Sequence, residues 1–338
     1  MTSYDLSICI ATRNRHEYLK LTMNHLLEQS MGRVEIVVVD GASTDATGEL
    51  MTNICKHDSS VNYIRSTKNG GVDQDFDTAV ECSSGQYCWL MSDDDQLLPG
   101  ALDQILEIIK AGHALIILNS QVRDRYLNVV LENRRSVIKR DRIYSFDEFD
   151  RIFRDLVDYM SFIGCVIIRR NIWVGRKRDL YFGTQFVHIG VIFQEPLPGS
   201  TLFVSEPGIL IRYGVASWEA RGFEIWMFRW PELIWSFTSL SDEVKSKICP
   251  PCPWKKLHKL FSFRAKGAYS IKEYSTWIKP RAHSRSRRAL SWLIALIPGE
   301  LANFVMISFY RLLCPNDKLQ ISDLKNSRFY FLRHVRKA

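Results

Sequence analysis

The sequence predicts an α/β protein whose N-terminal third forms a doubly wound, mostly parallel sheet. Short apolar runs rich in β-branched residues are typical of strands buried on both faces of such a sheet. Between them lie segments whose apolar residues recur at helical spacing. The 338 residues, 46% hydrophobic and 24% charged, are sufficient to build a sizeable core.

The predicted elements alternate between strand and helix. The runs LSICIA (6–11) and VEIVVVD (34–40) predict two strands, and RHEYLKLTMNHLLEQS between them predicts a helix. Further elements follow in order: a helix over about 45–57, the strand VNYIRS, a helix near 75–83 and the strand YCWLM. This βαβαβαβ order predicts a layered sheet with helices on both faces.

Four loops follow these strands: ATRNR, DGAST, TKNGGVD and SDDDQ. Ligands of doubly wound sheets bind beyond the carboxyl ends of the strands, so we expect these loops to converge on one site. Three consecutive carboxylates, residues 93–95, repel one another unless a cation joins them. A divalent metal carrying an anionic substrate explains them, and the alternative is a solvated turn that caps the helix after Pro99. The four converging loops favour the metal.

Charge and cysteine content narrow the class of partner. Lys and Arg exceed Asp and Glu by 45 to 37, a net charge of +8, which indicates a nucleotide, a phospholipid surface or a nucleic acid. No helix-turn-helix, RNA-binding sheet motif or zinc finger is present, so we expect no nucleic-acid partner. CPPC at 249–252 stands without a second Cys or His pair, which favours a stiff loop over a metal or redox site. The N-terminus lacks the pattern of a signal peptide, so a cytoplasmic location is expected.

Three segments of the first third carry a family resemblance: SICIATRNR, VEIVVVDGASTDAT and NGGVDQDFDTAVECSSGQYCWLMSDDDQLLPGAL. Over about residues 5–110 the chain resembles the nucleotide-binding half of family-2 glycosyltransferases, which have the Rossmann-like GT-A fold. The resemblance implies a nucleotide diphosphate sugar as donor, and Mg²⁺ or Mn²⁺ held against the diphosphate by an acidic DxD motif. The dinucleotide fingerprint GxGxxG is absent after the first strand.

The resemblance also assigns residues, position by position. It implies donor contacts from Thr12, Asn14, Arg15, Asp40, Ala42, Ser43, Asn69, Gly70, Gly71, Asp75 and Asp93. Asp93 and Asp95 would be the DxD metal pair. Family members commonly read Asp-x-Asp-Asp, three residues and Pro, whereas Ser92 stands here at the first Asp, so the choice of metal-binding carboxylates stays open. GVDQDFD also lacks the usual Arg-Asn pair, which places Asp75 or Asp77 where a neutral or basic residue is common.

The family's common Glu-Asp catalytic pair is not visible downstream. The candidate catalytic residues are Asp94, His188, Glu195 and Glu219. His188 is either a third metal ligand through its neutral imidazole or a helix histidine satisfied by a backbone carbonyl. Arg212, Trp218 and Arg221 are candidate acceptor contacts, because Trp stacks on sugar faces and Arg grips phosphate. The alternative is that these three are ordinary core and surface residues.

The last third of the chain changes character. Residues 254–288 are basic and aromatic, and residues 289–313 are strongly apolar but are interrupted by PGE at 298–300. A membrane-spanning helix needs about 20 apolar residues. We therefore expect two short helices lying in the membrane interface, with a buried helical hairpin as the alternative. The predicted organisation is a nucleotide-sugar-binding half (1–110), an acceptor-binding half (111–245) and a helical membrane-associating region (246–338).

These features together predict a metal-dependent glycosyltransferase of the hexosyltransferase type (EC 2.4). The downstream sequence resembles the subset that builds bacterial surface polysaccharide, including the abequosyltransferase type, which adds a dideoxyhexose to lipid-linked O-antigen. The expected acceptor is a polyprenyl-diphosphate-linked oligosaccharide, and the expected location is the inner face of the plasma membrane. The alternatives are an inactive nucleotide-sugar-binding protein with the same fold and a nucleotidyltransferase. The donor base, the sugar and the stereochemical outcome stay open.

Overall fold

The structure is a computed structural model that describes residues 4–216 and 218–332, with only the backbone described for Glu219. Contacts divide the chain into two units. The first unit comprises the segments up to Arg123, 133–212 and 236–248. The second comprises the segments 124–132 and 213–235 and the chain from Cys249 onward. The contacts therefore group the chain differently from the three consecutive segments that the sequence predicts.

A large mixed sheet forms the centre of the first unit. The strands described along the chain are β1 (Leu6–Thr12), β2 (Glu35–Asp40), β3 (Val61–Arg65), β4 (Tyr87–Ser92), β5 (Gln96–Leu97), β6 (Leu115–Arg123), β7 (Val130–Glu132), β8 (Arg142–Tyr144), β9 (Val166–Arg169) and β10 (Thr201–Arg212). The order across the sheet is β3-β2-β1-β4-β9-β6-β10-β5, with β8 beside β10. The α/β class predicted from the sequence is confirmed.

Neighbouring strands β3, β2, β1 and β4 are all parallel. β1 and β2 are buried along their whole length, as continuous apolar runs require. The register pairs Thr12 with Asp40 and Ala11 with Ser92. The carboxyl ends of β1, β2 and β4 therefore meet at the same height on one edge, and the segments that follow them share that edge.

Helices connect and cover these strands. They are α1 (His16–Ser30), α2 (Thr47–His57), α3 (Val72–Glu81), α4 (Ala101–Ile108), α5 (Phe149–Met160), α6 (Arg170–Val174), α7 (Val187–Phe193), α8 (Gly222–Glu224), α9 (Trp230–Ser236), α10 (Asp242–Ile248), α11 (Leu257–Lys266), α12 (Ile271–Glu273), α13 (Arg285–Leu296), α14 (Gly299–Leu313) and α15 (Lys318–Asn326). The buried face of α1 carries Leu19, Met23 and Leu26, which join the core that also contains Trp89 of β4. Removing this apolar surface from water is the main force that holds the helices on the sheet.

The second unit is mostly helical and has its own aromatic core. Phe223, Trp254 and Tyr269 are buried together there, and Phe223 packs on Tyr269 with ring centroids 4.9 Å apart. None of the described helices is by itself long and apolar enough to cross a bilayer, and α13 and α14 reach that length and composition only together, bent by 93° at the break between them.

Candidate active site

Three aspartates at the end of β4 form the centre of the candidate site. Asp93, Asp94 and Asp95 are 4%, 6% and 2% exposed, so none of them is a solvated surface charge. The segment is short because β5 begins at Gln96 and pairs antiparallel with β10, through Leu97 with Ile209 and Gln96 with Leu210. The aspartates are thereby confined between two strands of the sheet, and we refer to residues 93–95 as the aspartate loop.

The side chains of Asp93 and Asp94 are bound by residues of β1, of the loop after β1 and of β4. Asp93 accepts hydrogen bonds from Thr12 Oγ1 at 2.7 Å and from Arg15 Nε at 2.8 Å. Asp94 accepts one from Ser92 Oγ at 2.6 Å and forms an ion pair with the same guanidinium of Arg15. One cation therefore bridges two of the three carboxylates.

The backbone of the aspartate loop is fixed by two further residues. Thr22 Oγ1, on the buried face of α1, lies 3.0 Å from the carbonyl oxygen of Asp93 and 3.1 Å from that of Asp95. Arg212, the last residue of β10, donates its backbone N–H to Asp95 Oδ1 and its Nε to the Asp94 carbonyl, both at 3.1 Å. The loop is therefore held in one conformation by the sheet and by α1.

Burial of these carboxylates has a clear electrostatic consequence. Burial, and next the neighbouring Asp94, raise the pKa of Asp93 from 3.8 to about 6, while Arg15 opposes the shift. The same two causes raise the pKa of Asp95 well above 3.8. Asp95 Oδ2 is buried and has no hydrogen-bond partner among the described residues. Because buried polar atoms are normally paired, an oxygen in this state is suited to accept a ligand such as a bound cation.

The residues present fit a divalent cation that is completed by its substrate. Among the described residues, no three His, Cys, Asp or Glu side chains come together as a metal site. Mg²⁺, however, is usually held by one or two carboxylates together with substrate phosphates and water rather than by a cage of protein ligands. The Oδ2 atom of Asp95 is the oxygen best suited to such an ion.

The loops after β1 and β2 are linked to each other beside the aspartate loop. Asp40 is fully buried and accepts hydrogen bonds from the Ser43 N–H and from Tyr63 Oη, both at 2.7 Å. The Asn14 N–H donates to Ser43 Oγ at 2.8 Å. Asn14 has a φ of 53° and Ala42 a φ of 61°, which is uncommon for residues other than glycine. Such left-handed residues cluster at ligand-binding sites.

The three aspartates of α3 have separate roles. Asp73 accepts the N–H groups of Gln185 and Val187, at 2.8 and 3.0 Å, where α7 begins. Asp77 accepts the Trp173 indole N–H at 2.8 Å and pairs with an arginine of the following turn. Asp75 alone lies at the edge where the loops meet.

Asp75 contacts the loop after β2. A Cβ built at Gly41 would lie only 2.6 Å from Asp75 Oδ2, so any larger residue there would displace the carboxylate. Burial, and next the nearby Asp40, raise the pKa of Asp75 from 3.8 to about 6, and Arg13 opposes the shift. Asp75 is thus the aspartate of this pair that contacts the loop after β2. The glycine loop precedes it, with the Gly71 N–H 3.0 Å from Asn69 Oδ1 and Gly70 packed against Gln74.

The remaining candidates have other surroundings. His188 is 1% exposed within the wholly buried α7, with Nε2 2.8 Å from the carbonyl oxygen of Met160 and with no partner for Nδ1 in the described part of the chain. Burial lowers its pKa from 6.5 to about 4. Glu195 has a side chain that is 64% exposed and lies 3.5 Å from Arg176. The described residues do not bring His188 together with the aspartates as a set of metal ligands.

The predicted acceptor contacts fall in both units. Arg212 belongs to the first unit, where it is 9% exposed and braces the aspartate loop. Trp218 and Arg221 belong to the second. Trp218 packs at 6.1 Å on Trp226, and Arg221 pairs with Glu224 at 2.9 Å. The side chain of Glu219 lies outside what the structure describes.

Comparison with known proteins identifies the family. The sequence model of glycosyl transferase family 2 matches residues 7–173, which include every strand and loop of the candidate site up to the aspartates. Residues 7–173 are a family-2 glycosyltransferase domain. The chain is thus a glycosyltransferase. Crystal structures of S. aureus TarS 1–349 in complex with UDP and with UDP-GlcNAc share the GT-A fold, each with a TM-score of 0.55 and at 15% and 17% identity; both cover 95% of this chain and 89% of that chain.

Two curated relatives extend this result. The abequosyltransferase RfbV of Salmonella typhimurium is 29% identical over 232 residues, which are 64% of this chain and 69% of that protein. A Campylobacter jejuni protein named GalNAc(5)-diNAcBac-PP-undecaprenol beta-1,3-glucosyltransferase is 29% identical over 123 residues, which are 34% of this chain and 37% of that protein. The first similarity extends well beyond the part of the chain that the family model matches.

Sequence reasoning did not find Thr22, Tyr18 or Tyr63. Thr22 carries a recognisable signal, because it is a polar residue between the buried Leu19 and Met23 of α1. The Tyr18 ring lies under both guanidinium groups at the aspartate loop, 4.6 Å from Arg15 and 5.6 Å from Arg212. Such cation–π contacts favour the charged side chains in this position. No local pattern in the sequence indicates Tyr18 or Tyr63.

The shifted pKa of Asp75 gives a stability prediction for the glycosyltransferase domain. Because the pKa is about 6 in the folded chain and 3.8 in an ordinary carboxyl, folding favours the protonated form. The protonated Asp75 therefore adds to the free energy of unfolding at low pH, and this contribution is lost as the pH rises from about 4 through 6. Asparagine does not ionise, so the free energy of unfolding of Asp75→Asn, relative to that of wild type, should be higher at pH 7.5 than at pH 4.5. Urea denaturation at the two pH values measures this difference.

Asp77→Asn is the matched control, since it removes the same charge from α3 but breaks the ion pair with Arg178. It should destabilise the domain at pH 7.5. A stability difference between Asp75→Asn and wild type that stays constant from pH 4.5 to 7.5 would show that Asp75 is not held in an unfavourable ionised state.

Proposed function

We propose that the protein transfers a sugar from a nucleotide diphosphate sugar to a lipid-linked acceptor during synthesis of a bacterial surface polysaccharide. The single observation that carries the proposal is the buried aspartate loop, in which Asp95 Oδ2 finds no partner among the described residues at the edge where the loops of the glycosyltransferase domain meet. The similarity to proteins named for transfer to undecaprenol-linked sugars and for abequosyl transfer supports it.

The donor would bind across the loops after β1, β2 and β4. Asp40 is fully buried, and its two carboxylate oxygens accept hydrogen bonds from Ser43 and Tyr63, so it would shape the loop after β2 rather than contact the base directly. Thr12, Asn14 and the glycine loop 69–71 complete the cleft. The crystal structures of TarS with UDP and UDP-GlcNAc support a nucleotide sugar as ligand of this fold. On the similarity to RfbV, we propose a dideoxyhexose of the abequose type as the sugar.

Mg²⁺ or Mn²⁺ would bind at Asp95, with Asp93 beside it. When bound, such an ion neutralises charge on the diphosphate leaving group. The chain itself holds the carboxylates in place through Thr12, Arg212 and Thr22. Arg15 pairs with both Asp93 and Asp94, so we assign Asp94 to positioning Arg15 and the aspartate loop.

The C-terminal helices would hold the protein on the inner face of the plasma membrane. Large apolar side chains of α13 and α14 are 44% to 80% exposed: Leu290, Trp292, Leu293, Leu296, Leu301, Phe304, Val305, Phe309, Leu312 and Leu313. Exposed apolar patches of this kind mark interaction sites. Arginines 285, 287 and 288 precede them on α13, and basic residues beside an apolar face are attracted to anionic leaflets.

The function is tested with the full chain, Mn²⁺, a polyprenyl-diphosphate-linked acceptor and a panel of nucleotide diphosphate sugars. We expect release of nucleotide diphosphate and transfer of one sugar, both lost in excess EDTA. Asp95→Asn should reduce the rate by at least about a hundredfold, because it removes the open ligand oxygen. Asp94→Asn, the matched control in the same loop, should reduce it less.

Two results would contradict this proposal. Full activity in excess EDTA would exclude the metal. A larger loss in Asp94→Asn than in Asp95→Asn would move the metal from Asp95 to Asp94. Circular dichroism and thermal unfolding of both variants separate loss of the site from loss of the fold.

The membrane proposal is tested by sedimentation with anionic vesicles. We expect wild type to sediment with them and to be released only in part by high salt, because salt screens charges but not apolar burial. Leu293→Ser, Leu301→Ser and Leu312→Ser together should weaken binding by at least about tenfold, since each fully buried leucine contributes about 1.5–3 kcal/mol.

The matched control changes three exposed apolar residues of the first unit, with Val137→Ser, Ile143→Thr and Phe146→Ser. This variant should bind vesicles like wild type. If both triple variants bind equally, α13 and α14 do not contact the bilayer.

A further inference from the structure

The second unit contains a groove of about 410 Å³ that the sequence did not indicate. It is formed by the chain from α12 to Lys279 and by the middle of α13. Its lining includes Ile271, Tyr274, Ser275, Lys279, Arg288 and Trp292. All of these residues belong to the second unit, and none of them is a residue of the candidate active site.

The groove carries two positive charges and no negative charge on its lining residues. Arg288 is oriented by a hydrogen bond from Nε to the carbonyl oxygen of Ala282 at 2.5 Å. Among the described residues, no carboxylate lies within ion-pair distance of Lys279 or Arg288. Glu273, the acidic residue nearest to Lys279 along the chain, accepts a hydrogen bond from Ser270 Oγ at 2.6 Å. The groove is therefore electrostatically suited to an anion.

An apolar surface begins one helical turn beyond the cations. Trp292 follows Arg288 by four residues on α13, which is about 6 Å along a helix. Trp292 is 44% exposed, and Leu293 and Leu296 continue the exposed apolar surface at 51% and 48%. Along α13, the cation of Arg288 is thus followed by the indole ring of Trp292 and then by aliphatic side chains. The phosphate, the interface and the hydrocarbon of a membrane lipid succeed one another in the same order.

We propose that this groove binds the diphosphate of the lipid-linked acceptor, with Lys279 and Arg288 on the phosphate oxygens and Trp292 and Ile271 against the first carbons of the lipid. The charge count selects this ligand. A sugar–diphosphate–lipid carries two negative charges at its two phosphates and matches the two cations of the groove lining, whereas an ordinary phosphatidylglycerol carries one. The assignment rests on the proposed function, because it locates the acceptor of that reaction.

The experiment measures binding of the full chain to two sets of phosphatidylcholine vesicles. One set contains a polyprenyl-diphosphate-linked monosaccharide, and the other contains phosphatidylglycerol at twice the molar fraction, which equalises the surface charge. Wild type should prefer the diphosphate lipid by at least about tenfold. Lys279→Gln with Arg288→Gln should abolish this preference.

The matched control is Lys272→Gln with Arg285→Gln, which removes two exposed cations from the same segments outside the groove lining. Both double variants should lose a similar part of the general attraction to anionic vesicles, but the control should keep the preference. No preference in wild type, or equal loss in both double variants, would overturn the proposal. Displacement of wild type by micromolar inorganic diphosphate would assign the groove to a free anion and would overturn it too.

Binding of a nucleotide diphosphate with Mn²⁺, measured without lipid, separates this proposal from the proposed function. It should be the same in wild type and in both double variants, because none of the substituted residues belongs to the glycosyltransferase domain. Absence of nucleotide binding in wild type would count against the proposed function. The vesicle comparison would still show whether the groove binds the lipid diphosphate.

Discussion

The burial of three adjacent carboxylates is the constraint on which the rest of the candidate site depends. A carboxylate removed from water is unfavourable unless hydrogen bonds and opposite charges compensate it. Here the compensation comes from two strands of the sheet, from the loop after β1 and from α1, through Thr12, Arg212, Arg15 and Thr22. Compensation is incomplete, because no group in the described part of the chain pairs with Asp95 Oδ2. A site built in this way is stable enough to fold and still favours a further cation.

The cost of burying a carboxylate also explains the raised pKa of Asp75. Asp75 faces the fully buried Asp40 across Gly41, so the loop after β2 lies between two carboxylates. Asp40 is satisfied by hydrogen bonds, whereas Asp75 is held with a raised pKa. Two carboxylates therefore lie close to each other at this edge of the domain. The net charge of +8 is distributed elsewhere, including the basic turn of α13.

Much of this arrangement is predictable from the sequence, for a definite reason. The strands are continuous apolar runs, and the order of a doubly wound sheet brings the ends of β1, β2 and β4 to one edge, so the sequence alone groups Thr12, Asp40 and the aspartates. The contact between Arg212 and the aspartate loop is not predictable from the sequence. It acts through the pairing of β5 with β10, a long-range antiparallel contact that leaves no periodic signal. The separate roles of Asp73, Asp75 and Asp77 likewise depend on tertiary contacts of α3, with the start of α7, with the loop after β2 and with α6 respectively.

The organisation of the second unit is less predictable from the sequence than that of the first. The break at residues 298–300 is visible in the sequence, and the structure ends α13 and begins α14 there. The segments 124–132 and 213–235, which belong to the same unit, are not recognisable from composition. Their assignment depends on contacts between residues far apart in the chain. The groove along α13 is also a tertiary feature, because its two cations come from segments separated by a turn.

The most direct test of the account is the position of Mn²⁺ in a crystal of the protein with nucleotide diphosphate, located by anomalous scattering. The account predicts one manganese ion bound directly to Asp95 Oδ2, with phosphate oxygens among its other ligands. A nucleotide bound at this edge with no metal at Asp95, or with the manganese held elsewhere, would contradict it.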